Sequence, residues 1–469
     1  MNLRLKVYNI LSSKLSHKLL ILGVALSGII IFMLSSKVNF PDEKGYLFMG
    51  ESILHGKFSS WYFFADYYPE TLRTPGYPIF LALCQTITKS ILFVKIVQLF
   101  LYFASVFLCL QIISKLENKL IYKNLFLILV ILNIQIVYYT GLISTETLTI
   151  FFTILMVRLL FIKKNIINAI FLALSCYVLF IIKPAFLLFP FFLLIYFIFE
   201  GIENIRYSLV FIVTFLILLL PFSLWNKTNH NQFNPNPIEG GGGVAHLGYW
   251  QLKLPDGYTE RFYWGNTTAH DLTKPAFYTE EEYAENVLLY ESEMTKVVEE
   301  IAVYNTTKDS ANLVLMDANN PGIFRLYNSA YTAAREDYLG KLTFQHITEN
   351  PVYYLKSRAY HFIRFYITGV NYKKLNESIS FRGKFENIYP FVVTSLFIFL
   401  GLFLSTVYIL LNRFRKFINF LPLLALCWYI GGVHIPFAIQ SRYTIPVHLI
   451  ILIIVSFSFI KFSKLNHGK

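Results

Sequence analysis

The sequence predicts an all-α polytopic membrane protein of about ten helical spans, carrying an α-rich insert on one face. Three observations predict it. Hydrophobic residues make up 55% of the 469 positions and aromatics 18%. Charged residues make up only 15%, where a soluble domain carries about a quarter. The apolar residues also come in long uninterrupted blocks, the signature of helices that cross a bilayer.

Taken in chain order, the blocks lie near residues 19–36, 91–113, 121–139, 145–162, 166–182, 185–199, 207–225, 388–411, 417–433 and 445–461. Residues 78–90 are apolar as well, but Lys89 and the prolines before it predict an interfacial or re-entrant piece. The first block follows a basic start but has no small-residue cleavage site in SSKVNFPDE, so it reads as a retained anchor.

Lys/Arg bias in the short loops sets the orientation. Arg4, Lys6, Lys14 and Lys18 precede the first block. Lys115, Lys119 and Lys123 follow the second, and Arg158, Lys163 and Lys164 the fourth. Arg413, Arg415 and Lys416 precede the ninth, and Lys461, Lys464 and Lys469 form the tail. With ten spans these groups fall on one side, so both termini are cytoplasmic and segments 37–77 and 226–387 face outward. The excess of 41 basic over 28 acidic residues is largely these anchors, which also suit anionic lipid headgroups. No basic surface free of the membrane is left for nucleic acid. Cys84, Cys109, Cys176 and Cys427 all sit in apolar stretches without metal-ligand spacing and read as small buried hydrophobes.

The chain divides into an N-terminal bundle (1–225) containing the first outer loop (37–77), an extracytoplasmic insert (226–387), and a C-terminal group of spans (388–469). The insert opens with NKTNHNQFNPNPIEGGGG, which reads as loop. The run Gly240–Gly243 within it has no strand-to-helix context and reads as a flexible link, not a phosphate cradle. A helix capped by Thr279 is expected to run to Tyr304, followed by helices over Gly322–Ile347 and Pro351–Ile367. The last is rich in aromatic and basic residues, a mixture suited to a helix lying on the membrane interface. No internal repeat is evident.

The polar stretch from Pro41 to Phe80 carries the chemistry signal, because it is wedged between apolar blocks. Asp42 and Glu43 open it. A carboxylate at the outward end of a span can deprotonate an acceptor hydroxyl; the alternative is an acidic pair that ends a helix and is solvated. Arg73, followed by Thr-Pro-Gly-Tyr-Pro with Tyr77 inside it, can grip a phosphate in a fixed turn; the alternative is an interfacial anchor arginine. Glu146, at the outer start of the fourth block, can bind a substrate hydroxyl or pair with Arg73 or Lys183. It can equally be a first-turn acid favourable to the helix dipole. Lys183-Pro184 can neutralise a lipid phosphate or snorkel. Arg442 and Tyr443, in the last outer loop that His434 opens, can contact the same phosphate or form an aromatic and basic belt. No P-loop, GxSxG, HExxH or CxxC pattern is present.

The acidic pair after the first block, RTPGYPIFLAL, the TETL segment, ENPVYYLKSRAYHF and the terminal SRYTIP together resemble the GT-C fold glycosyltransferases. Within these the chain is similar to the protein O-mannosyltransferase and aminoarabinose transferase group, the family 39 type, over residues 38–200 and 340–460. The resemblance implies a GT-C-like helical bundle in the cytoplasmic membrane. It also implies an inverting transfer of sugar from a polyprenyl-phosphate donor to an outward acceptor: a glycolipid, a polysaccharide or a protein. In that scheme Asp42 is the base, while Arg73, Lys183 and Arg442 hold donor phosphate; to these the reading of the residues themselves adds Glu43, Tyr77, Glu146 and Tyr443 as substrate-binding candidates. The lipid-phosphate sugar is a co-substrate. No metal is expected, because no Asp-x-Asp accompanies Asp42. Two rivals stay open: a polysaccharide polymerase or ligase using a diphosphate-linked donor, and a transporter of lipid-linked saccharide that makes no bond. A transporter needs charge at the bilayer midplane, whereas here the polar groups gather at span ends.

Overall fold

The computed structural model describes residues 3–60, 67–201, 204–255, 278–301, 329–367, 388–389, 392–393, 395, 397–411 and 417–462. Among them the regular elements are all helices. They are α1 (Leu3–Leu11), α2 (Lys14–Ser35), α3 (Glu43–Leu54), α4 (Gly76–Ile87), α5 (Ile91–Leu116), α6 (Leu120–Leu132), α7 (Ile134–Tyr138), α8 (Glu146–Leu160) and α9 (Ile166–Ile182). There follow α10 (Phe189–Glu200), α11 (Ile205–His230), α12 (Gly242–Trp250), α13 (Glu280–Ile301), α14 (Ser329–Glu349) and α15 (Pro351–Tyr366). The chain finishes with α16 (Phe397–Leu411), α17 (Phe417–His434) and α18 (His448–Phe462).

Local chemistry places several boundaries. Ser13 caps α2 by accepting from Leu15 N at 3.2 Å and Ser16 N at 3.5 Å. Asn165 caps α9 through Asn168 N at 2.8 Å. Thr279 and Glu282 form a reciprocal capping box that starts α13, as expected of Thr279. Asn350 caps α15 through Tyr353 N at 3.2 Å, and Pro351 takes the first turn, where its missing N–H costs nothing. The stretch expected to be loop from Asn226 is helical for one more turn: α11 ends at His230, with Asn231 in the left-handed region at φ 59°. Residues 302–304, 322–328, 413, 415, 416, 464 and 469 lie outside the described residues.

Among the described residues, each expected apolar block coincides largely with helix. By length and composition, the helices long and apolar enough to cross a membrane are Lys14–Ser35, Ile91–Leu116, Ile205–His230 and Arg442–Lys461, the last including the 3-10 turn before α18. Leu120–Leu132 and Ile134–Gly141 form a further candidate bent by 62°. The other apolar helices, among them α4, α9 and α16, are shorter. The chain thus reads as a helical membrane protein, with apolar faces to match. Leu19, Leu22, Leu26, Ile29, Ile30 and Met33 stand exposed along α2, a stripe suited to lipid. At the centre, Leu449 to Ile454 of α18 are wholly buried, so the final span is wrapped by the others. It packs in one apolar core with α5, α6 and α8, and the N- and C-terminal groups are one body.

The bent span needs its backbone satisfied where it ends, past the 3-10 turn Tyr139–Gly141. Gln98 of α5 supplies this. Its Nε2 donates to Thr140 O at 3.0 Å and Leu142 O at 2.7 Å, while its Oε1 accepts from the Tyr77 hydroxyl at 2.9 Å. The helix expected to lie on the interface, α15, also turns its basic edge the other way. Arg358, His361 and Arg364 are buried against the protein, and Val352, Leu355 and Ile363 face out. A guanidinium with carbonyl partners is cheaper inside than a bare one, and Arg358 donates to Gly248 O at 2.7 Å and Ile435 O at 2.9 Å.

Gln98→Leu strips three buried polar groups of their partner, and each costs about 1–3 kcal/mol when left unsatisfied. The variant should lose thermal stability and detergent-extractable yield, while Tyr77→Phe, which leaves both carbonyls satisfied, should lose much less. Size-exclusion profiles and melting curves of the two proteins check this.

Candidate active site

Chain segments that the sequence keeps apart meet in four groups at one cavity of about 640 Å³. The first is the loop from Phe40 to Asp42, where α3 begins. The second is the turn Leu72-Arg73-Thr74 before α4. Glycine at position 76 lets that turn sit against the end of α9, since a Cβ there would lie 2.6 Å from the Ile181 carbonyl group. The third pairs the start of α8 (Thr145, Glu146) with the end of α9 (Ile182, Lys183). The fourth is the last interhelical loop, His434 to Tyr443. Segment 234–241 of the insert and Val244 of α12 close the remaining side.

The charged groups meet in a chain. Asp42 Oδ1 accepts from Arg73 Nη2 at 3.0 Å and Asp42 Oδ2 from Arg442 Nη2 at 3.1 Å, so one carboxylate bridges two guanidiniums. Arg442 Nε in turn lies 3.7 Å from Glu146 Oε1, and Lys183 Nζ 3.9 Å from the same oxygen. Aromatic faces back the cations: Tyr46 under Arg73 at 4.8 Å, Phe40 under Arg442 at 4.7 Å and Tyr443 under Lys183 at 4.8 Å. Within this set Arg73 Nη1, Arg442 Nε, Lys183 Nζ and Glu146 Oε2 are buried and make no hydrogen bond to the protein. Buried polar atoms are nearly always bonded, so this is where a polar ligand fits. Burial lowers the Lys183 ammonium from its ordinary value to about 8; Glu146 opposes the shift and Arg442 adds to it.

Of the residues singled out in the sequence, Asp42, Arg73, Glu146, Lys183, Arg442 and Tyr443 line the cavity, and so does His434. Glu43 and Tyr77 do not. Glu43 is buried at the start of α3, where its Oε2 accepts from Phe40 N at 3.4 Å, closing the turn that presents Asp42. Tyr77 belongs to the Gln98 network and packs edge-on against Tyr46, 5.0 Å between centroids. Both support the site from behind. Gly240–Gly243 is not a slack link: Gly240 and Gly241 line the cavity, Gly242 and Gly243 begin α12, and Gly243 N donates to Glu336 Oε2 at 2.9 Å.

Sequence reading missed the groups that hold the loops. Glu70 Oε1 accepts from Arg73 N at 3.2 Å, and its Oε2 bonds Ser60. Glu239 is tied to Thr71 Oγ1 at 2.9 Å and to Arg335 Nη2 at 3.0 Å, which fastens the insert to the first outer loop. Asn226 Nδ2 donates to Asn234 O and Asn236 O, fixing the Asn-Pro-Asn-Pro turn. The turn residues beside Asn234 were a legible loop signal; the acidic anchors had no motif.

No protein-family model, curated protein or solved structure matches the chain. The chemistry of the cavity is therefore argued from its own groups. Arg73, Lys183 and Arg442 suit an anion such as a phosphate, and Asp42 and Glu146 suit a hydroxyl. On one side Leu187 and Leu188 line the cavity, and Leu188 is 52% exposed, so an apolar chain can enter from the protein's outer surface.

Because Lys183 carries charge only below about pH 8, its grip on an anion is present below that pH and fades above it. Binding of a phosphate monoester to the purified protein should weaken about tenfold as pH rises through and beyond 8, the value of one charge-assisted hydrogen bond. Lys183→Arg should flatten that limb. Titration calorimetry across the range checks both.

Proposed function

We propose that this protein is an inverting membrane glycosyltransferase of the GT-C type, with about ten spans. It moves a sugar from a polyprenyl-phosphate donor to an acceptor hydroxyl on the outer side of the cytoplasmic membrane. The observation that carries this reading is the convergence of Asp42, Arg73, Glu146, Lys183 and Arg442 on one cavity beside an apolar opening. That combination is what a substrate with a phosphate head, a sugar and a lipid tail requires. The motifs that resemble the family 39 glycosyltransferases supply the same residues.

In the reaction the acceptor oxygen attacks the anomeric carbon from the face opposite the phosphate. The new C–O bond forms as the bond to the phosphate oxygen breaks, the hydroxyl proton passes to Asp42, and the polyprenyl phosphate leaves as an anion. Asp42, bridged by two guanidiniums, is held ionised and is a weak base in the resting site. A donor phosphate competes for Arg73 and Arg442. As each guanidinium turns toward the phosphate, Asp42 loses a stabilising cation and becomes more basic, so binding of the donor arms the base. Cations already in place then stabilise the leaving group. Lys183 and Glu146 complete the set, the ammonium toward phosphate and the carboxylate toward sugar hydroxyls.

Asp42→Asn should leave the protein folded and cut turnover by about 10² or more, the usual loss on removing a general base. Mass spectrometry of the polyprenyl-phosphate pool in cells making either protein checks the donor as well. A glycosylated monophosphate carrier that accumulates only with the variant is the expected result. Accumulation of a diphosphate-linked oligosaccharide instead would replace this reading with the polymerase or ligase. A well-expressed variant that leaves both pools unchanged would return the transporter to the front.

A further inference from the structure

Away from the cavity, three helices of the insert bring together a cluster that no sequence spacing announces. His246 of α12, Glu293 of α13 and His346 of α14 present one ligand atom each, all within 4.8 Å of one another. His246 Nε2 lies 3.0 Å from Glu293 Oε2, and His346 Nε2 lies 2.7 Å from Glu293 Oε1. The second contact is off the hydrogen-bonding angle, and His346 Nε2 is buried with no hydrogen bond to the protein. A neighbouring donor, the indole N–H of Trp250, is aimed at two acceptors at once: Glu293 Oε2 at 3.0 Å and His246 Nε2 at 3.2 Å. With the indole hydrogen on Glu293 Oε2, the Nε2 lone pair of a neutral His246 is free to join His346 Nε2 and Glu293 Oε1 as a ligand atom for a cation.

The surroundings hold the ligands in position. The His346 ring stacks on Tyr249 with 4.7 Å between centroids, the His246 ring stacks on Tyr290 at 5.8 Å, and Trp250 stands edge-on to His346 at 5.9 Å. Lys253, an ammonium on this face, donates to the Tyr249 hydroxyl at 2.8 Å.

We propose that His246, Glu293 and His346 bind a divalent transition-metal ion, zinc being the best match. Two imidazoles and one carboxylate form a nitrogen-rich set that fits zinc and disfavours calcium or magnesium, which demand oxygen ligands. The bound ion ties α12, α13 and α14 together. Its role follows from where α12 goes next: Val244, two residues before His246, lines the cavity, and Gly248, two residues after it, takes the Arg358 bond and packs on the last interhelical loop. The metal thus sets the pose of the helix that closes the cavity. This assignment stands apart from the reaction proposed for the cavity.

The test is elemental analysis of the full-length protein, purified in detergent and desalted. Wild-type protein should retain about one zinc per chain, and Glu293→Gln, His246→Ala and His346→Ala should each retain at least about tenfold less. A chelator should lower the melting temperature of the wild-type protein, and zinc should restore it. Cobalt added to the stripped protein should give the visible absorption of a tetrahedral site. The wild-type measurements stand even where a variant fails to fold. Wild-type protein that holds no metal and melts identically with chelator or zinc would overturn the assignment and leave a shared proton as the occupant. Variants that keep their zinc would overturn it as well.

Discussion

A carboxylate among apolar helix ends is costly unless cations meet it, and the rest of the cavity hangs on how Asp42 is met. Breaking a buried charge pair costs about 3–5 kcal/mol, because the remaining charge is left without a partner. Here one carboxylate serves two guanidiniums from opposite ends of the chain, Arg73 at 3.0 Å and Arg442 at 3.1 Å. To make both contacts, the loop after α2, the turn before α4 and the start of the final span must come to one point. Glu146 and Lys183 extend the chain of charges through Arg442. The cavity is the space these ends leave between them.

The same constraint explains why so much of the surrounding polar structure is devoted to loops rather than to the bundle. Lipid tails are as apolar as the helices, so burial alone does little to fix how helix ends meet. Glu70 pins the first outer loop from within, Glu239 and Arg335 pin it to the insert, and Arg358 pins the insert to the last loop. Each is a charged group bonded to a loop backbone or to an opposite charge. The insert is in this sense part of the site's wall. Its helix α12 begins at the cavity and carries His246 one turn further on, so a metal held with Glu293 and His346 would act on the same wall from outside.

Much of the bundle and the chemistry-bearing ends were legible because both rest on strong local signals. Apolar blocks announce helices, and a charge at the boundary of such a block is expensive enough to mark itself out; Asp42, Arg73, Glu146, Lys183 and Arg442 were found that way. Glu43 and Tyr77 are polar residues one and three positions from the cavity residues Asp42 and Thr74, but helix geometry turns them inward, to a turn and to Gln98. The partners of the basic edge of α15 were out of the sequence's reach for a related reason. Arg and Tyr suit an interface by composition, whereas the partners that bury Arg358, the carbonyls of Gly248 and Ile435, lie 110 and 77 residues away. Glu70, Glu239 and the His246, Glu293, His346 cluster depend on contacts between distant segments, and no spacing rule reaches them.

The central claim is that Asp42 competes with a donor phosphate for the same two guanidiniums. The most direct measurement is the affinity of purified wild-type and Asp42→Asn protein for a short-chain polyprenyl phosphate. Removing the carboxylate leaves Arg73 and Arg442 without their anion, so the account predicts that the variant binds the phosphate more tightly than wild type while its turnover falls by about 10² or more. A folded variant whose phosphate binding is lost would contradict it, because Asp42 would then be holding the arginines in place and not competing for them.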